Sequence, residues 1–541
     1  MHCCNVLLVS PEFPHNTFWN IKVTSEIAGA RHAAIPLGLV TVAAMLPAEW
    51  SCRLVDLNVS ELGQADLDWA DIVLTGGMNV QRISCLQIIE RAQREGKPVA
   101  VGGPDASSQP EVYEHADFLV VGEAEDVIHD FVAAWRGGAR RGKFVAPKFK
   151  VDVTKTPVPR FDLLHRTDYL YFAVQFSRGC PFTCEFCDII ELYGRNPRVK
   201  TVNQFLGELE ALYRSGYRGQ LDFVDDNFIG NKKAVKAMLP ALIAWQKEHA
   251  YPFWFSTEAS INLADDDELL TLMRIANFAI VFVGIESPDT DTLVSMQKKQ
   301  NTRRSLAESV HKIYAAGIFA IAGFIVGFDS ESSSIAQQMV ECVEDTSIPI
   351  CMVGLLVALP NTQLSRRLQR EGRLFPFDWL ESALRDHGGD QCTLGLNFHT
   401  LRPRRAVLAD YKRVIDTVYD SAAYFARARY VVQQLGQWPP HATASISPPI
   451  PEWRWLGLRG MEWLGLLRLL RGAARIDLRT FFHIAAALVW ALRKCPGALF
   501  AMATFAAFYV HLGPFARRVS LTTEQQIEAL DHGRWEAPSA A

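Results

Sequence analysis

Three cysteines carry the strongest chemical signal in this chain. Cys180, Cys184 and Cys187 are spaced C-x3-C-x2-C within Cys180-Pro181-Phe182-Thr183-Cys184-Glu185-Phe186-Cys187. Three thiolates on one loop can each hold one iron of a cubane cluster. Such clusters normally take four cysteines, so a three-cysteine loop leaves one iron open to another ligand. The competing reading is a structural zinc site with a distant fourth ligand. Zinc knuckles more often pair their cysteines as C-x2-C, whereas this triplet follows an apolar run that reads as a strand, with Arg178-Gly179 making the turn.

Further polar groups sit at the ends of apolar runs. Asp225 and Asp226 lie in Phe223-Val224-Asp225-Asp226-Asn227-Phe228, where they could pair with an ammonium. The bland alternatives are an N-cap or a solvated loop. Glu258 and Glu286 end two more runs, where a carboxylate can accept from hydroxyls, and Gly323 would permit close backbone approach. Upstream, Gly76-Gly77, Gly102-Gly103 and Gly122-Glu123 each follow an apolar run. Backbone without side chains there can lie against a large planar ligand. A dinucleotide reading fails, because no G-x-G-x-x-G follows the first strand.

These residues need elements to position them. The candidate strands of the first part are Val6–Ser10, Cys52–Asp56, Asp71–Thr75, Pro98–Gly102 and Asp117–Val121, alternating with helical stretches. That is the pattern of a parallel α/β sheet, whose ligands bind at the carboxyl strand ends. A second alternation has candidate strands Phe172–Ser177, Leu221–Asp225, Phe253–Glu258, Ile280–Glu286, Ala320–Val326 and Met352–Ala358. Six βα units predict a partial (β/α) barrel with its chemistry at the strand C-termini. The expected fold class is α/β: a Rossmann-like domain at 1–136, a linker at 137–166, the partial barrel at 167–365 and a mostly helical extension at 366–541.

Composition bounds the rest. At 541 residues the chain needs two to three domains. Its 55 basic and 59 acidic side chains give a net charge of −4, so no global signal for nucleic acid exists. The Lys and Arg of the linker read as solvated charge, since no groove-reading pattern accompanies them. The N-terminus reads as a strand and not as a signal peptide, which points to the cytoplasm. In a reducing compartment a tight cluster among eleven cysteines suggests metal binding before disulfides. The apolar runs Phe481–Leu492 and Ala498–Val510 are each shorter than the roughly 20 residues that span a bilayer. Docking against the protein is the expectation, with contact at the inner membrane face as the alternative.

C-x3-C-x-aromatic-C after a first barrel strand resembles the signature of the radical S-adenosylmethionine (SAM) superfamily. The resemblance covers roughly residues 165–365. It implies a [4Fe-4S] cluster on Cys180, Cys184 and Cys187, with SAM on the open iron and a 5′-deoxyadenosyl radical as the product of its cleavage. Phe186 takes the aromatic position whose backbone meets adenine. Where the family has Gly-Gly-Glu, this chain has Val224-Asp225-Asp226. The glycines are lost and the acidic character is kept, so Asp225 or Asp226 inherits the methionyl amino group. Glu258, Glu286 and Gly323 complete the implied SAM contacts. The glycine-rich first domain resembles the cobalamin-binding domain that precedes many radical SAM cores, and so implies cobalamin contacts at Asn58, Gly76, Gly77, Gly102, Gly103, Gly122 and Glu123. The usual D-x-H-x-x-G is replaced by Asp56-Leu57-Asn58-Val59-Ser60, without the cobalt-ligating histidine.

Cys187–Arg198 with Asp225–Asn231 is similar to the subgroup that contains the bacterial hopanoid C-methylases. That resemblance implies methylation of an unactivated carbon in a lipid-like or natural-product substrate, with methylcobalamin as methyl donor and flavodoxin or ferredoxin as electron donor. Two other classes stay open. A non-methylating cyclase or rearranging enzyme would form 5′-deoxyadenosine without S-adenosylhomocysteine. A cobalamin or Fe–S sensor would not cleave SAM.

Overall fold

The computed structural model describes residues 4–302, 304–376, 390, 392–393, 395–441, 460–534 and 538. The strands are β1 (Asn5–Ser10), β2 (His32–Ala34), β3 (Ser51–Asp56), β4 (Ile72–Gly76), β5 (Val99–Gly102), β6 (Phe118–Val121), β7 (Gly142–Val145), β8 (Tyr169–Val174), β9 (Ser177–Arg178), β10 (Arg198–Val199), β11 (Gly219–Phe223), β12 (Phe253–Ala259), β13 (Phe278–Glu286), β14 (Phe319–Val326) and β15 (Cys351–Leu355).

Continuous apolar strands such as Val6-Leu7-Leu8-Val9 demand cover on both faces, and they form the first parallel sheet, in the order β3-β1-β4-β5-β6-β7. Two separate cores lie on its two faces. The strand order reverses at β1, with β3 on one side and β4 on the other. A crevice at the carboxyl ends of such strands is where doubly wound sheets bind ligands.

The second parallel sheet runs β15-β14-β13-β12-β11-β8-β2. From β8 to β15 neighbours in space are neighbours along the chain, and the sheet curls into a half-barrel with helices outside. Residues facing those helices, such as Leu221, Phe223, Phe255, Val281 and Val283, are completely buried. Their alternates Asp222, Ser256, Glu258 and Phe282 line the inside.

β2, β7 and the short ribbon of β9 with β10 were not anticipated as strands. β2 comes from the first 136 residues yet pairs with β8, with His32 opposite Tyr169. β7 lies in the stretch read as a linker and pairs with β6, with Phe144 packed on Phe118 and Phe131. Exposed cations beside a short alternating run are how an edge strand is kept from further pairing, and here they disguised it as a solvated loop.

The C-terminal helices used below are α2 (Arg404–Val418), α3 (Ser421–Leu435), α4 (Gly460–Ile476), α5 (Leu478–Lys494) and α6 (Leu499–Asp531), with α1 (Lys22–Ala28) near the N-terminus. Pro496-Gly497 separates α5 from α6, whereas Pro514 is carried inside α6. The run Ala498–Val510 is therefore part of a 33-residue helix, long and apolar enough to cross a bilayer by composition. Its apolar face is spent on protein instead. Phe505, Tyr509, Leu512 and Phe515 are buried. The Tyr509 hydroxyl donates to the Tyr419 carbonyl at 2.9 Å, Tyr424 donates to Phe505 at 2.8 Å, and Thr24 of α1 donates to Ala507 at 3.0 Å.

Candidate active site

The cysteine loop leaves the half-barrel after β9 and is held from several sides. Gly179 has φ +101°, and a Cβ there would lie 3.0–3.3 Å from three carbonyl oxygens, so only glycine fits the turn. The Cys180 amide donates to the Gly194 carbonyl at 3.2 Å, and that of Cys187 to Cys184 at 3.2 Å. Glu185 is tied through its amide to Met296 (3.0 Å) and through its carboxylate to Arg367 (2.6 Å).

The acidic pair after β11 braces the same turn. Asp225 accepts from the Phe176 amide at 3.0 Å and from both the amide and hydroxyl of Ser177. Asp226 accepts from the Gly179 amide at 2.6 Å. Burial pushes the two carboxyls up to about 7 and about 6. Asp225 is thus consumed by the backbone, while Asp226 keeps acceptor capacity. The chain's departure from Gly-Gly-Glu has a structural reason: these carboxylates fasten the loop that carries the cysteines.

Two of the sulfurs face amide donors. Asn227 Nδ2 stands 3.9 Å from Cys180 Sγ, and Gln300 Nε2 stands 3.8 Å from Cys184 Sγ. Burial raises all three thiols above their usual range, with mutual proximity adding to it at Cys180 and Cys187. Among the described residues no three His, Cys, Asp or Glu side chains converge on one point, as a single metal ion requires. A cubane asks for one thiolate per iron, and two of these three sulfurs have an amide donor aimed at them.

Glu286 ends β13 at φ +66°, just after a break in register with β14. Its carboxylate pairs with Lys298, and both side chains are about nine-tenths buried. A Cβ at Gly284 would run into both members of the pair. Lys298 also lies 5.9 Å over the Phe186 ring. Burial alone would lower its ammonium; Glu286 outweighs this and holds it above its usual value. Lys298 was not foreseen, because Gln297-Lys298-Lys299-Gln300 reads as a solvated polar run. At Gly323 a Cβ would come within 3.2 Å of the Phe282 ring.

Glu258 opens into the half-barrel, where its side chain is exposed to the interior space. The protein around it, and after that Asp222, Asp226 and Glu286, push its carboxyl from the usual 4.5 to about 8. The folded chain therefore holds this proton more tightly than the unfolded one. The Glu258 contribution is fully present below pH 4.5 and is lost as pH rises towards about 8. Thermal melting of the ligand-free protein across that window should fall less steeply in Glu258→Gln than in the parent chain; parallel curves would refute the assignment.

At the other sheet the glycines end β4, β5 and β6. Gly103 and Gly122 have φ near +90°, and a Cβ on Gly76 would strike the Gly102 carbonyl. These loops therefore pack backbone on backbone. Asn58 accepts from the Phe13 amide at 2.9 Å and donates to Pro11 at 3.2 Å, which fixes the loop after β1. Glu123 turns to the cysteine loop, accepting from Arg178 at 2.7 Å and from Arg198 at 2.8 Å. His15 is exposed beside Glu12, and His32 is buried in β2 and stacked on Phe13.

Comparison with known proteins gives the same two halves. Residues 27–132 match the B12 binding domain, residues 174–343 the radical SAM superfamily, and residues 362–525 a domain of unknown function. An uncharacterized methyltransferase of Synechocystis sp. is 46% identical over 432 residues, 80% of this chain and 79% of that one. The hopanoid C-2 methylase of Rhodopseudomonas palustris is 39% identical over 400 residues, 73% of each chain. The fold is similar to that of the cobalamin-dependent SAM radical enzyme OxsB with aqua-cobalamin bound, at TM-score 0.58 and 16% identity, covering 99% of this chain and 82% of that one. It is also similar to the methyltransferase TsrM from Kitasatospora setae with cobalamin and a [4Fe-4S] cluster, at TM-score 0.56 and 16% identity, covering 69% and 78%.

Proposed function

This chain belongs to the cobalamin-dependent radical SAM methyltransferases, and from that premise we propose that it methylates an unactivated carbon of a hopanoid-like lipid. The observation that carries the substrate class is the hopanoid C-2 methylase relative, 39% identical across 73% of each chain.

In this reading Cys180, Cys184 and Cys187 hold the cluster, which supplies the electron that cleaves SAM, while cobalamin supplies the methyl carrier. Asp226 takes the methionyl ammonium, since Asp225 is already saturated by Phe176 and Ser177. Lys298 offers a cation for the methionyl carboxylate. Glu258 and Glu286 face the ribose, and Phe186 and Gly323 leave backbone for the adenosyl moiety. Gly76, Gly77, Gly102, Gly103, Gly122 and Asn58 form the cobalamin edge, and Glu123 acts there through its arginine partners. The domains divide near 136, 167 and 365, with β2 and β7 reassigned to the sheets they join. A flavodoxin or ferredoxin delivers the electron. We place the protein in a reducing, cytoplasmic setting, where a tight cysteine cluster favours metal binding.

The test is anaerobic reconstitution with cobalamin, SAM and titanium(III) citrate, followed by mass analysis of hopanoid-containing lipid extracts. The expected products are 5′-deoxyadenosine, S-adenosylhomocysteine and a lipid heavier by one methylene. 5′-Deoxyadenosine without S-adenosylhomocysteine would replace this reading by a non-methylating one.

Helices α4 and α5 carry the membrane part of the proposal. Leu467 (61%), Leu478 (72%), Phe482 (63%) and Leu492 (50%) are exposed. Phe482, Val489 and Leu492 recur with Leu478 along one stripe of α5, at helical spacing. Arg468, Arg471, Arg475, Arg479, Arg493 and Lys494 are exposed among them. Apolar side chains inside a cationic field suit the interface of an anionic bilayer, where each cation contributes about 1 kcal/mol. Sedimentation with phosphatidylglycerol vesicles should retain the protein, and phosphatidylcholine vesicles should not. Leu478→Asp/Phe482→Asp should abolish retention. Dimerisation through this face without vesicle binding would overturn the assignment.

A further inference from the structure

Two cofactor loops on two domains must face each other at a fixed spacing, yet domains joined by a linker move by default. Here β2 already ties the domains by pairing with β8, and the Tyr169 hydroxyl donates to Asp56 at 2.9 Å; nearest the two loops, a further ionic cluster joins them. Glu123 directly follows Gly122, just past the carboxyl end of β6, and Glu125 lies two residues further on. Arg178 lies two residues ahead of Cys180. Its guanidinium donates to Glu123 at 2.7 Å, to Glu125 at 3.0 Å and to Gln175 at 3.0 Å. Arg198, on the strand paired with β9, donates to Glu123 at 2.8 Å and to the Tyr193 carbonyl at 3.0 Å. Thr156 completes Glu125 at 2.9 Å. The four ionic side chains are 4–14% exposed.

Buried ion pairs add little net stability, because desolvation offsets the attraction. Their geometry is another matter. A planar guanidinium bonded to two carboxylates admits one arrangement, and lysine cannot copy it. We propose that Arg178, with Glu123 and Glu125, is a positioning clamp that sets the register between the cobalamin edge and the cluster loop. The inference rests on the cofactor assignment above. The hydrogen bonds of the Arg178 side chain go to Glu123, Glu125 and Gln175, and in this proposal it acts through Gly179 and Cys180 on one side and Gly122 on the other.

The register matters because SAM has two fates. Transfer of its methyl to reduced cobalamin breaks the S–CH3 bond and yields S-adenosylhomocysteine. One-electron cleavage breaks the S–C5′ bond and yields methionine and, after hydrogen abstraction, 5′-deoxyadenosine. Titanium(III) citrate supplies the electrons for both. Only the first fate needs the two domains in line.

The experiment uses the full-length holoenzyme with Arg178→Met, Arg178→Lys and Glu125→Gln. Pulsed EPR measures the distance distribution between cob(II)alamin and the reduced cluster, and product analysis gives the ratio of S-adenosylhomocysteine to 5′-deoxyadenosine. Arg178→Met should broaden the distribution and lower the ratio about tenfold or more, with iron, cobalamin and the cluster's own EPR line shape retained. Arg178→Lys and Glu125→Gln should fall between it and the parent chain. An unchanged distance distribution in Arg178→Met and Glu125→Gln would overturn the clamp. So would an altered cluster line shape at unchanged distance, since Arg178 would then act on the cluster itself. If Arg178→Met loses either cofactor, Glu125→Gln decides by the same two measurements. If the parent chain makes no S-adenosylhomocysteine, methylation fails as a reading while the distance measurement still judges the clamp.

Discussion

Cys184→Ala should form no measurable 5′-deoxyadenosine, a loss of about a thousandfold or more, equivalent to about 4 kcal/mol in the barrier. Cys184 is the most buried of the three thiols and the one faced by Gln300. With only three cysteines in the loop, removing one leaves two irons without protein ligands, and the cubane is no longer retained. The fold should survive, because the cavity left by one sulfur costs about 1 kcal/mol. Circular dichroism and melting should stay near those of the parent, while iron content and the reduced-cluster EPR signal collapse. Cys351→Ala is the control: Cys351 is also a buried thiol outside any disulfide, but it is the first residue of β15 and sits in the core. It should lose a little stability and keep SAM cleavage. Retention of 5′-deoxyadenosine formation by Cys184→Ala would remove the cluster assignment.

Lys298→Met should destabilise the chain by about 3–5 kcal/mol, because it strands Glu286 in a buried site without its cation. The double variant Lys298→Met/Glu286→Gln removes both charges and should recover most of the stability. It should not recover SAM binding, since no ammonium is left for the methionyl carboxylate. Urea denaturation and equilibrium dialysis with SAM separate the two effects. A single variant as stable as the parent would mean that Glu286 has another partner; a double variant that binds SAM normally would move the carboxylate site elsewhere.

The long apolar strands were legible because burial on both faces writes them as continuous runs. Val6–Ser10, Phe253–Glu258 and Ala320–Val326 fall within β1, β12 and β14. The cysteine loop was equally plain, because spacing within eight residues needs no tertiary information. What escaped depends on partners distant in sequence. Three residues of β2 carry no period of their own, and their place is set by β8, more than a hundred residues later. Lys298 reads as one cation in a polar run until β13 puts Glu286 against it. Glu123 was assigned to cobalamin by the resemblance of the first domain. Its arginines come from the other domain, and no local pattern announces them.

β2 also bears on how this chain can be made and divided. The segment leaves the ribosome with the first domain but has no sheet to join until Tyr169–Val174 has been synthesised. Until then its backbone donors are an open edge, and closing that long loop is slow. The B12-binding region is thus stitched into its neighbour, not appended to it. A cut at the domain boundary would leave one fragment with an orphan strand and the other with a bare sheet edge, so the two halves should not be exchangeable as independent cassettes.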